Sequence, residues 1–188
     1  MLVLRELAYG PRRFSELKSD LPGISANVLT QRLAELEARK LVRKIKLPPP
    51  ASVQVYEATE WGLQAVPLIA SLGRWAARSP WHNPELNMSH VSTMMSLQTL
   101  ISPALAEGLH ARIGFRLGDT SYVATIVDGC LDVERTEVKN CDVVFAAAPT
   151  EVCAVIHGGA PLEMIRIEGD MELAKRFVTL FPLPPKIG

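Results

Sequence analysis

The chain has little of what marks a secreted, membrane-spanning or metal-bound protein. No apolar run is long enough for a membrane span or a secretory core, since "MLVLRELAYG" meets Arg5 and Glu6 after four residues. The expected location is therefore cytoplasmic. Cys130, Cys141 and Cys153 lie far apart, with no Cys-x-x-Cys pair and no neighbouring histidine, so the spacing of a zinc set is missing. They read as buried thiols. Cys141 follows a turn signal in "VKNCDVV" and is the one that could be exposed, with Lys139 as its only nearby cation. His82, His90, His110 and His157 are scattered singly and read as structural or solvated. Catalytic signatures are also missing: there is no phosphate-binding glycine loop, no nucleophile elbow and no run of metal ligands. Asp119, Asp128, Asp132 and Asp142 fall at expected turns or strand edges, and a helix end explains the glycines of "HGG" at 157–159. Neither catalysis, a cofactor nor a metal is expected.

Net charge is absent too, with 20 Lys and Arg against 20 Asp and Glu, but the balance hides a split. Residues 1–80 hold twelve basic and seven acidic residues, and residues 81–188 hold eight and thirteen. The first half is then attracted to a polyanion and the second is not. Pro80 and Pro84 in "ARSPWHNPELN" mark a seam between two helical patterns, because proline removes a backbone donor and biases its predecessor away from helix. The expected organisation is a first domain over 1–79, a linker over 80–86 and a second domain over 87–188.

In the basic half, a short helix is expected from Ser15 to about Leu21, ended by "LPG", and Ser25 caps a longer one. Leu29, Leu33 and Leu36 give the second helix its buried stripe, which turns Asn27, Gln31 and Ala34 to the opposite face, with Thr30 and Arg32 on the flanks. Two β-type runs, 41–47 and 53–58, surround a proline-rich tip, and Arg43, Lys44 and Lys46 sit on the first. Thr59 caps a third helix whose Leu63, Val66, Ile69, Leu72 and Trp75 recur at helical spacing. Two helices, a basic hairpin and a closing helix make a winged helix-turn-helix. Such a module lays its second helix in the major groove of double-stranded DNA. The expected contacts are base edges from Asn27, Thr30 and Gln31, a base or phosphate from Arg32, and phosphates from Arg12, Arg13, Arg43, Lys44 and Lys46, with Ser25 at the helix start.

The residues "GPRRFSELKSDLPGISANVLTQRLAELEARKLV" followed by "VYEATEWG" resemble the HxlR family of bacterial winged-helix transcriptional regulators over residues 1–78. The matching motifs are the Phe-Ser-x-Leu start, "GIS", "LTQRLAELE" and the Tyr56, Thr59, Gly62 exit, with Ala58 where the family usually has leucine. The resemblance implies a regulator that works as a homodimer. It also implies a further helix before the first one here, often bearing a cysteine, whereas this sequence starts at Met1 inside what should be the next helix.

The acidic half reads as helix over 88–109, interrupted at Pro103, then the strands "ARIGFRL", "SYVATIV", "CLDVERTEV" and "DVVFAA". A helix opened by Thr150 and closed by Gly158 and Gly159, the strand "EMIRIEGD" and a helix capped by Asp170 follow. The fold class is α+β, with a mostly antiparallel sheet and helices on one face. Element order, and "IRIEGDMELAKRFVTLFP" above all, are similar to the sterol carrier protein type-two-like domain over 87–183. That resemblance implies an apolar small-molecule ligand lined by Ile113, Phe115, Leu131, Val133 and Phe145. The same residues would also build a dry core, which an apolar stripe does not distinguish from a cavity.

The sequence thus points to a one-component transcriptional regulator. A lipid or hydrophobic-ligand carrier, with a basic half that contacts a membrane or a protein, is the alternative. Such a carrier has no need of the polar Asn27, Thr30 and Gln31 face.

Overall fold

A computed structural model of the chain describes residues 1–82 and 88–187. The chain forms two compact units, Met1–Ser71 and Leu72–Gly188. Of the segment expected as a linker, residues 83–86 lie outside the described residues, as does the expected start of the second domain at residue 87.

The first unit runs α1 (Leu2–Arg5), α2 (Phe14–Asp20), α3 (Ala26–Ala38), β1 (Val42–Lys46), β2 (Gln54–Ala58), α4 (Glu60–Gln64) and the start of α5 (Val66–Ala76). Its core is Val3, Leu4, Leu7, Leu17, Leu21, Leu29, Leu33 and Val42, with Leu36 packed at its edge. The strands pair antiparallel in the register Val42↔Ala58 to Lys46↔Gln54, and a single bridge from Arg12 to Tyr56 adds a third edge to this small sheet. Helix α2 starts at Phe14, one residue before the expected Ser15: Arg13 is its cap, and Glu16 reaches back to accept the Arg13 backbone N–H at 2.6 Å. Ser25 caps α3 as expected, accepting from the Val28 backbone N–H at 3.2 Å.

The helix expected after Thr59 breaks at Ala65 into α4 and α5, two residues before Pro67, whose ring nitrogen cannot donate into a continuous ladder. Its apolar stripe is only partly covered: Val66 is half-buried and Ile69 packs at the edge of the first core. Leu63 is 43% exposed, Leu72 45% and Trp75 64%, and α5 buries no residue fully.

Gly62 shows why the exit motif needs glycine. A Cβ there would fall on the Leu41 carbonyl group. Thr59 fixes the same corner, accepting from the Gly62 backbone N–H at 3.1 Å and donating to the Lys40 carbonyl at 2.7 Å.

The second unit holds α6 (His90–Leu100), β3 (Ala111–Leu117), β4 (Thr120–Val127), β5 (Cys130–Glu134), β6 (Val143–Ala146), α7 (Pro149–Gly158), β7 (Arg166–Gly169) and α8 (Met171–Val178). The sheet order is β5-β4-β3-β6-β7. Three pairings are antiparallel, whereas β3 and β6 run parallel from Ile113↔Val143 to Arg116↔Ala146. The parallel pair follows from the crossover after β5, which skips β4 and β3. That segment passes so close over β3 that a Cβ on Gly114 would sit 2.6 Å from Val138 Cγ1. The expected strand beyond Glu134 therefore becomes crossover, and the long helix expected over 88–109 ends at Leu100. Asp170 caps α8, accepting from the Leu173 backbone N–H at 3.0 Å, and Gly159 closes α7 in the left-handed region.

On the helix-covered face of the sheet, Ile113, Phe115 and Phe145 are fully buried and Leu131 and Val133 nearly so. The rings of Phe115, Phe145, Phe177 and Phe181 pack against one another at centroid distances of 4.9–5.9 Å. Of the residues expected to line an apolar ligand, Phe115 and Phe145 thus pack on Phe177 of α8, while Ile113, Leu131 and Val133 are buried elsewhere along the sheet. His90 of α6 meets the Tyr122 hydroxyl through Nδ1 at 2.5 Å, and Thr93 Oγ1 lies 3.4 Å from the Cys153 thiol. The C-terminal segment ends on residues 77–79, where Lys186 donates to the carbonyls of Ala77 and Ser79 and the Ile187 backbone N–H donates to Arg78.

Candidate nucleic-acid interface

The amphipathic stripe decides which part of α3 can meet a ligand. Leu29 and Leu33 are buried, while Asn27, Gln31 and Ala34 are exposed on the opposite side and Thr30 on its flank. Thr30, Gln31 and Arg32 each have a defined partner. The Thr30 hydroxyl donates to the Ala26 carbonyl at 2.9 Å, which leaves its lone pairs and methyl outward. Gln31 Nε2 donates to Glu35 Oε1 at 3.1 Å, and Arg32 donates to Glu35 Oε2 at 2.7 Å. The Arg32 bond and charge hold the Glu35 carboxyl below its ordinary range, desolvation opposes them, and Gln31 and Arg39 add to the lowering. The Ser25 hydroxyl is committed as a helix cap.

The cations separate into two groups. Arg43 pairs with Glu57 directly across the hairpin, and Arg32 with Glu35, so part of each charge is neutralised within the chain. Arg13, Lys46, Arg39 and Lys40 are exposed, and no ion pair holds them among the described residues. Lys44 is exposed, with its ammonium 5.7 Å from the centre of the Tyr56 ring, a contact that orients it without neutralising it. Arg39 and Lys40 follow α3 directly, beyond its apolar repeat, and their signal in the sequence is only the charge pair itself.

Arg12 is the correction among the expected phosphate contacts. It is 4% exposed, its guanidinium pairs with Asp20 and with Glu16, and its backbone N–H donates to the Tyr56 carbonyl at 2.8 Å. Burial between α2 and the hairpin keeps it from solvent, and Arg12 acts as a brace. The cysteines need a second correction. Cys153 is buried as expected, but Cys130 is exposed on β5 and Cys141 is half-buried. Burial is the main cause that pushes the Cys141 and Cys153 thiols up.

A helix-turn-helix closed by a two-stranded wing, with a polar helix face beside exposed cations, defines a winged-helix DNA-binding protein. Residues 1–84 match the family described as HxlR-like helix-turn-helix. The chain belongs to that family. It is 32% identical over 83 residues to YvaP of Bacillus subtilis, an uncharacterized HTH-type transcriptional regulator, covering 44% of this chain and 75% of YvaP. It is 44% identical over 75 residues to YkvN of the same organism, also an uncharacterized HTH-type transcriptional regulator, covering 39% of this chain and 63% of YkvN. A solved structure described as UbiJ-SCP2, a ubiquinone synthesis protein, is 17% identical and covers 66% of this chain and 93% of its own, at a TM-score of 0.34. A score that low carries no argument about the second unit, whose α+β fold stands on its own geometry.

Proposed function

We propose that this chain is a one-component transcriptional regulator that reads an operator with α3 and holds flanking phosphates with its wing. The observation that carries the reading is the exposed Asn27, Thr30 and Gln31 face of α3 beside the uncompensated Lys44 and Lys46. A lipid carrier has no use for such a face, and among the described residues no helix is long and apolar enough to cross a membrane. Cytoplasmic location and the lack of a catalytic role belong to the same reading. Binding to a random duplex and to a selected operator, each titrated with salt, tests it. The operator should bind at least a thousandfold more tightly than random duplex, as specific sites do. Equal affinity for both would reduce the protein to a nonspecific polycation.

The regulator is a homodimer in this reading. The support is the unburied apolar face of α5, with Leu72 and Trp75 open to solvent, because a surface of that kind is normally covered by a partner. The second unit assembles the protein or senses an apolar ligand. Its packed phenylalanine cluster favours assembly, since a ligand would have to displace Phe177 from Phe115 and Phe145. Native mass spectrometry of the purified protein decides between them: a mass equal to two bare chains supports assembly, and a bound small molecule supports sensing.

A further inference from the structure

Glu35 puts an acid beside the polar face of α3, and acid is out of place where phosphates approach. Glu35 sits one turn after Gln31 and takes both of the polar side chains next to it, Gln31 Nε2 at 3.1 Å and Arg32 at 2.7 Å. An ionised carboxylate only accepts hydrogen bonds, so the end of the Gln31 amide that faces it must be nitrogen. This settles an orientation that the amide alone leaves ambiguous. One N–H of Gln31 is consumed, and one N–H and the amide oxygen remain to point outward.

We infer, on the operator-reading function proposed above, that Glu35 is a specificity-determining positioning residue that commits Gln31 to adenine and against guanine. Adenine presents an N6–H donor beside the N7 acceptor in the major groove, the complement of one oxygen and one N–H. Guanine presents two acceptors, O6 and N7, and needs two donors, of which Glu35 has taken one. Arg32, the neighbouring side chain that could supply two donors to guanine, is drawn to the same carboxylate. The Thr30 hydroxyl has given its proton to the Ala26 carbonyl, so it offers no donor. Glu35 thereby filters the face, at the cost of a negative charge near the backbone of the DNA.

The experiment is selection from a random duplex library with the full chain, followed by competition between the selected site and its single adenine-to-guanine change. The proteins are wild type, Glu35→Ala, Glu35→Gln, Gln31→Ala and the Gln31→Ala/Glu35→Ala double variant, each checked for an unchanged melting temperature. Wild type should prefer adenine at one position of each half-site by roughly 10- to 100-fold, and Glu35→Ala should leave less than about threefold there, with other positions unchanged. Glu35→Gln should keep most of the preference, because its amide oxygen still accepts the Gln31 N–H. Glu35→Ala should add nothing once Gln31 is alanine. Full adenine preference in Glu35→Ala, a guanine preference in wild type, or an equal effect of Glu35→Ala with and without Gln31 each overturns the inference and leaves operator reading intact. A wild type that enriches no motif overturns operator reading, and the inference with it.

Discussion

Among single residues, the distinction that matters is between groups already satisfied by the fold and groups left for a ligand. Arg12 and Lys46 look alike in the sequence, but one is buried against Asp20 and Glu16 and the other is solvated. Replacing Arg12 by alanine should destabilise the first unit by about 1–3 kcal/mol, since it strands Asp20 where water only partly reaches it. A urea titration reads that loss directly. Replacing Lys46 should leave stability alone and lower the slope of log affinity against log salt by about 0.9, the signature of one phosphate contact. The thiols divide in the same way. Alkylation should reach Cys130 first, Cys141 slowly and Cys153 only on unfolding, because burial of the last two disfavours the reactive thiolate. Peptide mapping after timed labelling checks the order, and early modification of Cys153 would contradict it.

At the scale of elements, the corner between β2 and α4 joins the wing to the helices. Thr59 caps α4 and also reaches back to the Lys40 carbonyl just after α3, so one hydroxyl holds both ends of the hairpin. Thr59→Ala should cost about 1–2 kcal/mol, the upper range for loss of a cap, because a second hydrogen bond goes with it. Gly62→Ala should be worse than its modest helix propensity suggests. The added methyl meets the Leu41 backbone, which cannot rotate away as a side chain would. Thermal denaturation of the two variants should rank Gly62→Ala as the less stable, and the opposite order would mean that the corner can relax. Both variants should weaken binding to operator and to random DNA alike, because they loosen the wing and leave the α3 face untouched.

For the whole molecule, the charge split and the open face of α5 make joint demands. A single winged helix reads few bases, and a two-fold dimer doubles the site. Half-sites should therefore lie roughly 10 bp apart, centre to centre, or at a multiple of that spacing. Sedimentation at several concentrations should show a dimer that Trp75→Glu and Leu72→Glu weaken, since a charge on that helix face has to be desolvated in the interface. A monomer at all concentrations, on DNA and off it, would remove the dimer from the proposal. If the second unit does bind an apolar molecule, operator DNA must change its affinity by the same factor by which the molecule changes DNA affinity. Calorimetry with and without DNA measures both.

The sequence by itself determined the winged helix. Its elements are short and local, so the leucine repeat at 29, 33 and 36, the Ser25 and Thr59 caps and the prolines of the wing tip each act through residues a few positions away. The α+β class of the second unit was legible for the same reason, from alternating strands and the Asp170 cap. Tertiary structure decided everything that depends on what lies across from a residue. It buried Arg12, because Asp20 and the bridge to Tyr56 come from different elements. It left Leu72 and Trp75 of the α5 stripe in solvent, because a repeat shows that a helix has an apolar face and says nothing of what will cover it. It made β3 and β6 parallel, because pairing order is a property of the crossover and not of either strand. It also filled the space between sheet and α8 with Phe177, for apolar side chains that face one another can close on themselves or on a ligand, and only their packing in three dimensions chooses.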